Sequence, residues 1–189
     1  MRIIGGKLKG SILYIPKNKN TRPLKDLTKE SIFNLLNHSN EITFRLDGSN
    51  ILDLYSGIGS FGLECLSRDA NYVYFVENQK FALEILKKNI RKLKIENKTK
   101  IFFNDVFDLI KKKNFFKLKF NLIFCYPPFK NKNTEKLIEL IYKNNLLDKN
   151  GIIILHRNKF IKEKFPSCFN MLDERVYGMS KIIFGNLSA

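Results

Sequence analysis

Short apolar runs alternate with amphipathic stretches from residue 50 to the end of the chain. Runs such as residues 72–77 predict buried strands, because they are brief and rich in β-branched and aromatic residues. Residues 79–93 instead place apolar side chains at helical spacing and lysines between them, which predicts a helix with one buried face. The alternation predicts a mainly parallel sheet that is covered by helices on both faces.

The same pattern predicts the positions of the individual strands and helices. Strands are predicted at residues 51–55, 72–77, 100–103, 120–125 and 151–156, with a closing pair near 168–177 and 180–185. Helices are predicted at residues 60–68, 79–93, 106–112 and 134–144, with a short helix near 158–164. The fold class is therefore α/β, with seven strands in one Rossmann-like sheet.

The first 45 residues do not follow the alternation. Residues 2–4 and 12–15 predict a hairpin with a turn rich in glycine and lysine. A helix is predicted at 27–37, which Asp26 or Thr28 could cap. Nine Lys and Arg against three Asp and Glu give this part a net charge of 9 − 3 = +6. We predict two units: a basic hairpin and helix over residues 1–45 that grips the substrate, and a core domain over 46–189. The hairpin could instead be an edge ribbon that only covers the sheet.

The charge of the whole chain indicates a polyanionic partner. Its 34 Lys and Arg outnumber 18 Asp and Glu, which gives a net charge of +16. Phosphate groups of a nucleic acid would supply affinity without sequence preference. A solvated basic surface without a specific partner is the alternative.

Other features of the composition exclude several classes of protein. No apolar run approaches the ~18 residues of a membrane span, and the N-terminus lacks the apolar region of a signal peptide. Three scattered cysteines and two histidines form no metal-ligand pattern. We therefore expect a cytoplasmic protein without a metal site or a membrane partner, and we expect it to be a monomer.

A glycine-rich turn after the first core strand predicts a ligand site. Gly57, Gly59 and Gly62 lie at spacings of two and three, between a predicted strand and a predicted helix. Glycine lets backbone N–H groups approach a ligand, and the helix N-terminus adds unpaired donors. Nucleotide-like ligands bind at such turns, although a turn without a ligand would show the same pattern.

Two acidic residues distinguish between possible nucleotides. Glu77 lies 77 − 57 = 20 residues after the first glycine, the spacing at which a carboxylate meets ribose hydroxyls. Asp53 would place negative charge beside a pyrophosphate, which disfavours a dinucleotide. S-adenosylmethionine carries a sulfonium and an ammonium group and no phosphate, so it is favoured. Asp105 could accept from an adenine amino group, could cap the following helix, or could do both.

The stretch from residue 120 to 129 predicts the catalytic loop. An apolar strand runs into Tyr126, Pro127, Pro128 and Phe129. Two prolines make a stiff loop that turns its carbonyls outward, and an adjacent aromatic ring can stack on a base. Methylation of an exocyclic amine needs acceptors that position the nitrogen. Cys125 could act as a nucleophile on a pyrimidine, but its place at the end of an apolar strand favours a core position.

The chain resembles the bacterial 16S ribosomal RNA guanine-N2 methyltransferases of the RsmD family over nearly its whole length. The matching residues are 1–10, 21–23 with 30–36, 53–64, 75–77, and 176–178 with 181–184. The glycine motif marks a broad class of methyltransferases, whereas its combination with the N-terminal block is far more specific.

The resemblance implies a class I methyltransferase fold, S-adenosylmethionine as methyl donor, and a guanine of 16S ribosomal RNA, in the small subunit or an assembly intermediate, as target. The cofactor-binding residues are then expected to be Asp53, Ser56, Gly57, Gly59, Glu77, Asn78, Asp105 and Val106. The catalytic residues would be Tyr126, Pro127, Pro128 and Phe129, and the RNA-binding residues Arg2, Lys7, Lys9 and Arg22.

One residue departs from the family pattern. The family has Asp before the two prolines, and related amine methyltransferases have Asn, whereas this chain has Tyr126. A phenol is a weaker acceptor than a carboxylate. Three outcomes remain open: positioning by the Pro127 carbonyl in a slower enzyme, an altered substrate, or an RNA-binding assembly factor without methyl transfer. A Rossmann oxidoreductase is the remaining alternative.

Overall fold

The structure, a computed structural model, describes residues 1–16, 24–128, 131 and 133–188. Seven strands form one sheet in the order β3-β2-β1-β4-β5-β7-β6. The first five strands are parallel, and β7 pairs antiparallel with both β5 and β6. This confirms the predicted α/β fold with a mainly parallel seven-stranded sheet.

The bounds of the elements agree closely with the alternation in the sequence. The strands are β1 Asn50–Leu54, β2 Tyr72–Glu77, β3 Thr99–Phe103, β4 Phe120–Cys125, β5 Leu147–Asn158, β6 Phe169–Tyr177 and β7 Ser180–Leu187. The helices are α1 Asp26–His38, α2 Ser60–Ser67, α3 Lys80–Leu93, α4 Val106–Ile110 and α5 Thr134–Lys143, with a 3₁₀ turn at Glu96–Lys98. Within the described residues, no helix has the length and apolar character that crossing a bilayer requires.

The sheet separates two hydrophobic cores. Helices α1, α2 and α3 pack on one face, and α4 and α5 pack on the other. On the first face, the Phe61 ring lies between Phe33 of α1 and Phe124 of β4, at centroid distances of 5.4 and 3.8 Å. Helix α1 is therefore fastened to the sheet through α2.

The N-terminal segment forms a short version of the predicted hairpin. One antiparallel bridge joins Arg2 and Ile12, and beside it the Ile3 N–H donates to the Ser11 carbonyl at 3.0 Å and the Leu13 N–H to the Met1 carbonyl at 3.1 Å. Other backbone donors of the segment bond to core side chains: Ile4 and Gly5 donate to Glu64, and the N–H of Tyr14 donates to Asn89. The segment is thus bound to the core through side chains.

Two smaller expectations were wrong. Helix α1 starts after Lys25 without any side-chain cap, so neither Asp26 nor Thr28 has the predicted capping role. The short helix near 158–164 is absent, because β5 continues to Asn158 and the chain then turns. The ammonium of Lys181 donates to the Ile161 carbonyl at 3.2 Å and holds this irregular segment against β7.

Candidate cofactor and substrate site

The predicted site residues meet where the strand order reverses. Strand β1 pairs with β2 on one side and with β4 on the other, so a crevice opens at their carboxyl ends. The glycine-rich turn follows β1, and the Pro-Pro loop follows β4. Open parallel sheets bind ligands in this crevice. The fold therefore places both predicted motifs at one edge of the sheet.

The three glycines of the turn have different physical roles. Gly57 has φ of +57°, and a Cβ built there meets nothing within 4 Å, so its backbone faces open space. Gly59 has φ of +82° and forms the N-terminal boundary of α2. A Cβ on Gly62 would lie 2.4 Å from the Phe75 ring, so this glycine lets α2 pack closely on β2. Only Gly57 leaves room for a ligand.

Asp53 stabilises the glycine-rich turn through a hydrogen bond with α2. Its side chain is buried, and its Oδ2 accepts from the Gly62 N–H at 3.0 Å, which satisfies a donor in the first turn of α2. Burial raises the pKa of this carboxyl to about 8. Asp53 is therefore mostly protonated at neutral pH, and the negative charge assumed from the sequence is largely absent.

Glu77, the last residue of β2, joins the turn to α3. One carboxylate oxygen accepts from the Gly57 N–H at 2.7 Å, and the other accepts from the N–H groups of Asn78 and Gln79 at 3.0 and 2.7 Å. A carboxylate offers about four acceptor positions. Glu77 thus fixes the turn while retaining capacity to accept from a hydroxyl group.

Asp105 has the capping role considered from the sequence. Its Oδ1 accepts from the N–H groups of Phe107 and Asp108 at 2.8 and 3.2 Å, and Val106 is the buried first residue of α4. Its Oδ2 lies 3.5 Å from the side-chain amide of Asn78. The cap orients the carboxylate and leaves Oδ2 facing Asn78 at the end of β2.

Two residues before Gly57 complete the turn. Ser56 donates its backbone N–H to the Val76 carbonyl at 3.0 Å, which ties the turn to β2. Tyr55 has φ of +58°, a conformation that costs a residue with a side chain roughly 1–2 kcal/mol. Such strain is concentrated at ligand sites, and the sequence pattern did not reveal it.

Tyr126 lies against a histidine. Its ring stacks on His156 of β5, with 3.9 Å between centroids and 26° between planes. Burial first, and then the neighbouring Arg157 guanidinium, lower the pKa of His156 to about 4. The imidazole is therefore neutral at physiological pH, and it offers a flat surface that fixes the plane of the Tyr126 ring.

The Pro-Pro loop is anchored from behind by a buried guanidinium. The Pro128 carbonyl accepts from the Asn131 N–H at 2.8 Å, and the Asn131 carbonyl accepts from Arg157. Arg157 also forms an ion pair with Glu163, and both side chains are almost fully buried. Pro127 is buried and Pro128 is exposed, whereas Phe129 lies outside the described residues.

Cys125 is a core residue, as expected. It is fully buried at the end of β4, and burial raises the pKa of its thiol. A thiolate nucleophile is therefore strongly disfavoured at this position.

The predicted RNA-binding residues lie apart from the crevice. Arg2, Lys7 and Lys9 are exposed on the N-terminal segment, and Lys7 pairs with Asp69 after the end of α2. Arg22 lies outside the described residues. The structure thus places three cations on one segment, but it does not bring them to the glycine turn.

Several residues that stabilise the site were not predicted from the sequence. Glu64, Asn89, His156 and Arg157 are buried polar residues whose partners lie far away in the chain. Their one available signal was a polar residue within an otherwise apolar helix face or strand. That signal does not identify a partner.

The residues present fit S-adenosylmethionine. The open space beside Gly57 admits a ligand against the backbone, and Glu77 retains an acceptor position for a ribose hydroxyl. Asp105 has a carboxylate oxygen that its cap does not use. These three residues, Gly57, Glu77 and Asp105, follow or end three adjacent strands. An extended nucleoside requires contacts in such a row.

Comparisons with known proteins indicate the family and the fold of the chain. A family model described as "Conserved hypothetical protein 95" matches residues 1–186. A Buchnera aphidicola (subsp. Baizongia pistaciae) protein named ribosomal RNA small subunit methyltransferase D is 36% identical over 163 residues, which are 86% of this chain and 79% of that protein. The solved structure of yhhF from Escherichia coli has a TM-score of 0.85 at 25% identity and covers 100% of this chain and 98% of that one. SMU.776, solved in complex with SAH, has a TM-score of 0.66 at 19% identity over 89% of this chain and 52% of that one, which shows a shared fold alone.

Proposed function

The chain belongs to the RsmD family of ribosomal RNA methyltransferases, and from this premise we propose that it methylates the N2 amine of a guanine in small-subunit ribosomal RNA. The proposed donor is S-adenosylmethionine, and the proposed setting is the cytoplasm. The observation that carries the proposal is the meeting of the Gly57 turn and the Pro127-Pro128 loop at one crevice.

The cofactor half of the site is formed by β1, β2 and β3. Gly57 allows close approach, Glu77 accepts from ribose, and Asp105 accepts from the adenine amino group. Asn78 lies between the two carboxylates and orients Asp105 through its amide. The bound cofactor supplies an activated methyl group on a sulfonium, which leaves readily and requires little general-base assistance.

The substrate half is the loop after β4. A guanine amine must be held with its nitrogen lone pair toward the methyl group, and good positioning supplies most of the acceleration. The carbonyl of Pro128 is already engaged by Asn131, so we assign the positioning role to the carbonyl of Pro127. Tyr126, held in plane by His156, gives the loop an aromatic wall in place of the family's carboxylate.

The N-terminal segment is proposed to contact RNA through Arg2, Lys7 and Lys9. Replacing Lys7 and Lys9 with Glu should weaken RNA binding and flatten its dependence on salt, because phosphate contacts release counterions. An unchanged salt dependence would remove these residues from the interface.

The test of the reaction uses labelled S-adenosylmethionine and small ribosomal subunits from cells that lack this gene. After digestion of the RNA to nucleosides, label in N2-methylguanosine is expected. Label in another nucleoside would contradict the guanine assignment and indicate an altered base pocket. A Gly57→Val variant provides the control, since its side chain would fill the space proposed for the cofactor.

A second function has one specific observation in its favour. Tyr126 stands where the family has a carboxylate, and its ring is packed on His156. A chain that binds the cofactor and the subunit without transferring a methyl group would be an RNA-binding assembly factor. The same experiment separates the two, because it then gives cofactor and subunit binding without label in any nucleoside.

A further inference from the structure

An open groove lies between residues 14–16 and the outer face of α3. Its volume is about 1010 Å³. Tyr14, Ile15 and Phe81 stand about half exposed along it, at 51%, 52% and 48%. Large apolar side chains that are exposed side by side usually mark a binding surface.

The same groove carries positive charge. Lys88, Arg91 and Lys92 line it, and no carboxylate does so among the described residues. Glu84, the acidic residue of α3, pairs with Lys87 at 3.7 Å. In the part of the chain that the structure describes, Lys88 and Arg91 form no ion pair. Flat rings beside cations are the features that bind single-stranded nucleic acid, through base stacking and phosphate contacts.

A buried asparagine makes the groove a preformed feature. Asn89 accepts from the Tyr14 N–H at 2.7 Å, and its amide donates to the carbonyls of Tyr14 and Ile58, both at 3.2 Å. Lys92 lies 4.8 Å from the centre of the Tyr14 ring. Ile58 stands between Gly57 and Gly59. The Asn89 side chain therefore holds both Tyr14, on one side of the groove, and the glycine-rich turn.

The groove leads away from the reaction site. Phe81 is in the first turn of α3, four residues after Glu77, so its end of the groove adjoins the carboxyl edge of the sheet. Arg91 is ten residues further along the helix, a rise of ~15 Å. The length allows several residues of an extended strand to lie along α3.

We infer that this groove binds the single-stranded RNA that flanks the target nucleotide, with bases on Tyr14 and Phe81 and phosphates near Lys88 and Arg91. The inference rests on the proposed function, because RNA is the partner that the reaction requires. Duplex RNA buries its bases and would not use the aromatic rings. The three cations along the groove favour a polyanion over an apolar helix as its occupant.

The first test measures salt dependence. A short fluorescent single-stranded RNA is titrated with the wild-type protein and with the Lys88→Ala/Arg91→Ala double variant at several salt concentrations. The log–log slope should fall by about 1.4, since each phosphate contact on a single strand contributes roughly 0.7. The matched control is Lys136→Ala/Lys143→Ala on α5, which removes the same charge from the other face of the sheet and should retain the wild-type slope.

The second test measures stacking. Tyr14→Ala should weaken single-stranded RNA binding at least about fivefold, whereas Tyr14→Phe should bind as the wild type does. A duplex of the same sequence should bind the wild-type protein and both Tyr14 variants with equal affinity. Calorimetry should give every variant wild-type affinity for S-adenosylmethionine, which shows that the cofactor turn is intact.

Each remaining outcome overturns a defined claim. If the variants match the wild type while the wild-type protein methylates small subunits, the groove proposal fails and the proposed function stands. If the wild-type protein neither binds the single-stranded RNA nor methylates small subunits, both fail. If polyglutamate displaces the RNA at equal affinity, the groove is a site for acidic protein segments and the inference is wrong.

Discussion

Replacing Glu64 with Gln should release the N-terminal segment from the core. Its carboxylate is fully buried and accepts from the N–H groups of Ile4 and Gly5, from Lys29 at 3.2 Å, and from Arg68 at 2.9 Å. Glutamine has nearly the same size but places N–H donors against some of these donors. It also removes the nearer carboxylate of the buried Lys29 ammonium, which then keeps only the more distant Asp26 at 3.9 Å and the Arg2 carbonyl at 2.7 Å.

The expected cost is about 3–5 kcal/mol, the range for a buried ion pair that loses one partner. For a chain of this size that corresponds to a fall in melting temperature of about 6–20 °C. Urea unfolding measures the difference, and an unchanged dependence on urea would show that the unfolding transition itself is the same. Hydrogen exchange at Ile4 and Gly5 should accelerate in the variant well before global unfolding.

An exposed pair provides the matched control. Lys143 and Glu139 form an i,i+4 pair at 3.3 Å on the surface of α5. Glu139→Gln should cost no more than about 0.5 kcal/mol, because water already screens this pair. If Glu64→Gln were as mild as Glu139→Gln, or if exchange at Ile4 and Gly5 were unaffected, Glu64 would not hold the N-terminal segment to the core.

Four further predictions concern the site itself. The pKa of Asp53 is raised to about 8, so the folded protein keeps a proton that the unfolded chain loses near 3.8. This contribution to stability is complete below about pH 4 and is lost as the pH rises toward 8, so Asp53→Asn should show a flatter pH dependence in urea unfolding; parallel curves would contradict it. Gly62→Ala should destabilise by about 1–3 kcal/mol through its clash with Phe75. Gly57→Ala should cost about 1 kcal/mol in stability but weaken cofactor binding more than Gly62→Ala does, as calorimetry would show. Arg157→Met should slow methyl transfer about 10- to 100-fold at unchanged cofactor affinity, because the Pro-Pro loop loses its anchor; an unchanged rate would refute that positioning role.

The sheet could be predicted because its signal is local. Apolar runs at β1, β2 and β4 are short and separated by helical patterns, and those at β2 and β4 are rich in β-branched and aromatic residues. Buried parallel strands need little more than this to be recognised. The glycine-rich turn could also be predicted, because its position between a strand and a helix indicates a ligand site.

The polar framework could not be predicted because its partners are distant in sequence. Glu64 meets Ile4 across 60 residues, and Asn89 meets Tyr14 across 75. A single sequence does not show which backbone N–H groups will donate to a buried carboxylate or amide. These contacts hold the N-terminal hairpin against the core, so the sequence pattern indicated the hairpin but not its attachment.

Asp53 shows why charge is harder to infer than position. Its location near the end of β1 followed from the sequence, and the argument for a cationic ligand assumed an ionised carboxylate there. Ionisation depends on burial, and burial keeps this group mostly neutral at pH 7. The case for S-adenosylmethionine therefore depends on the space beside Gly57, on the acceptors of Glu77 and Asp105, and on the family. The hydrogen bond from Gly62 to Asp53 makes this carboxyl a support of the turn that the other residues use.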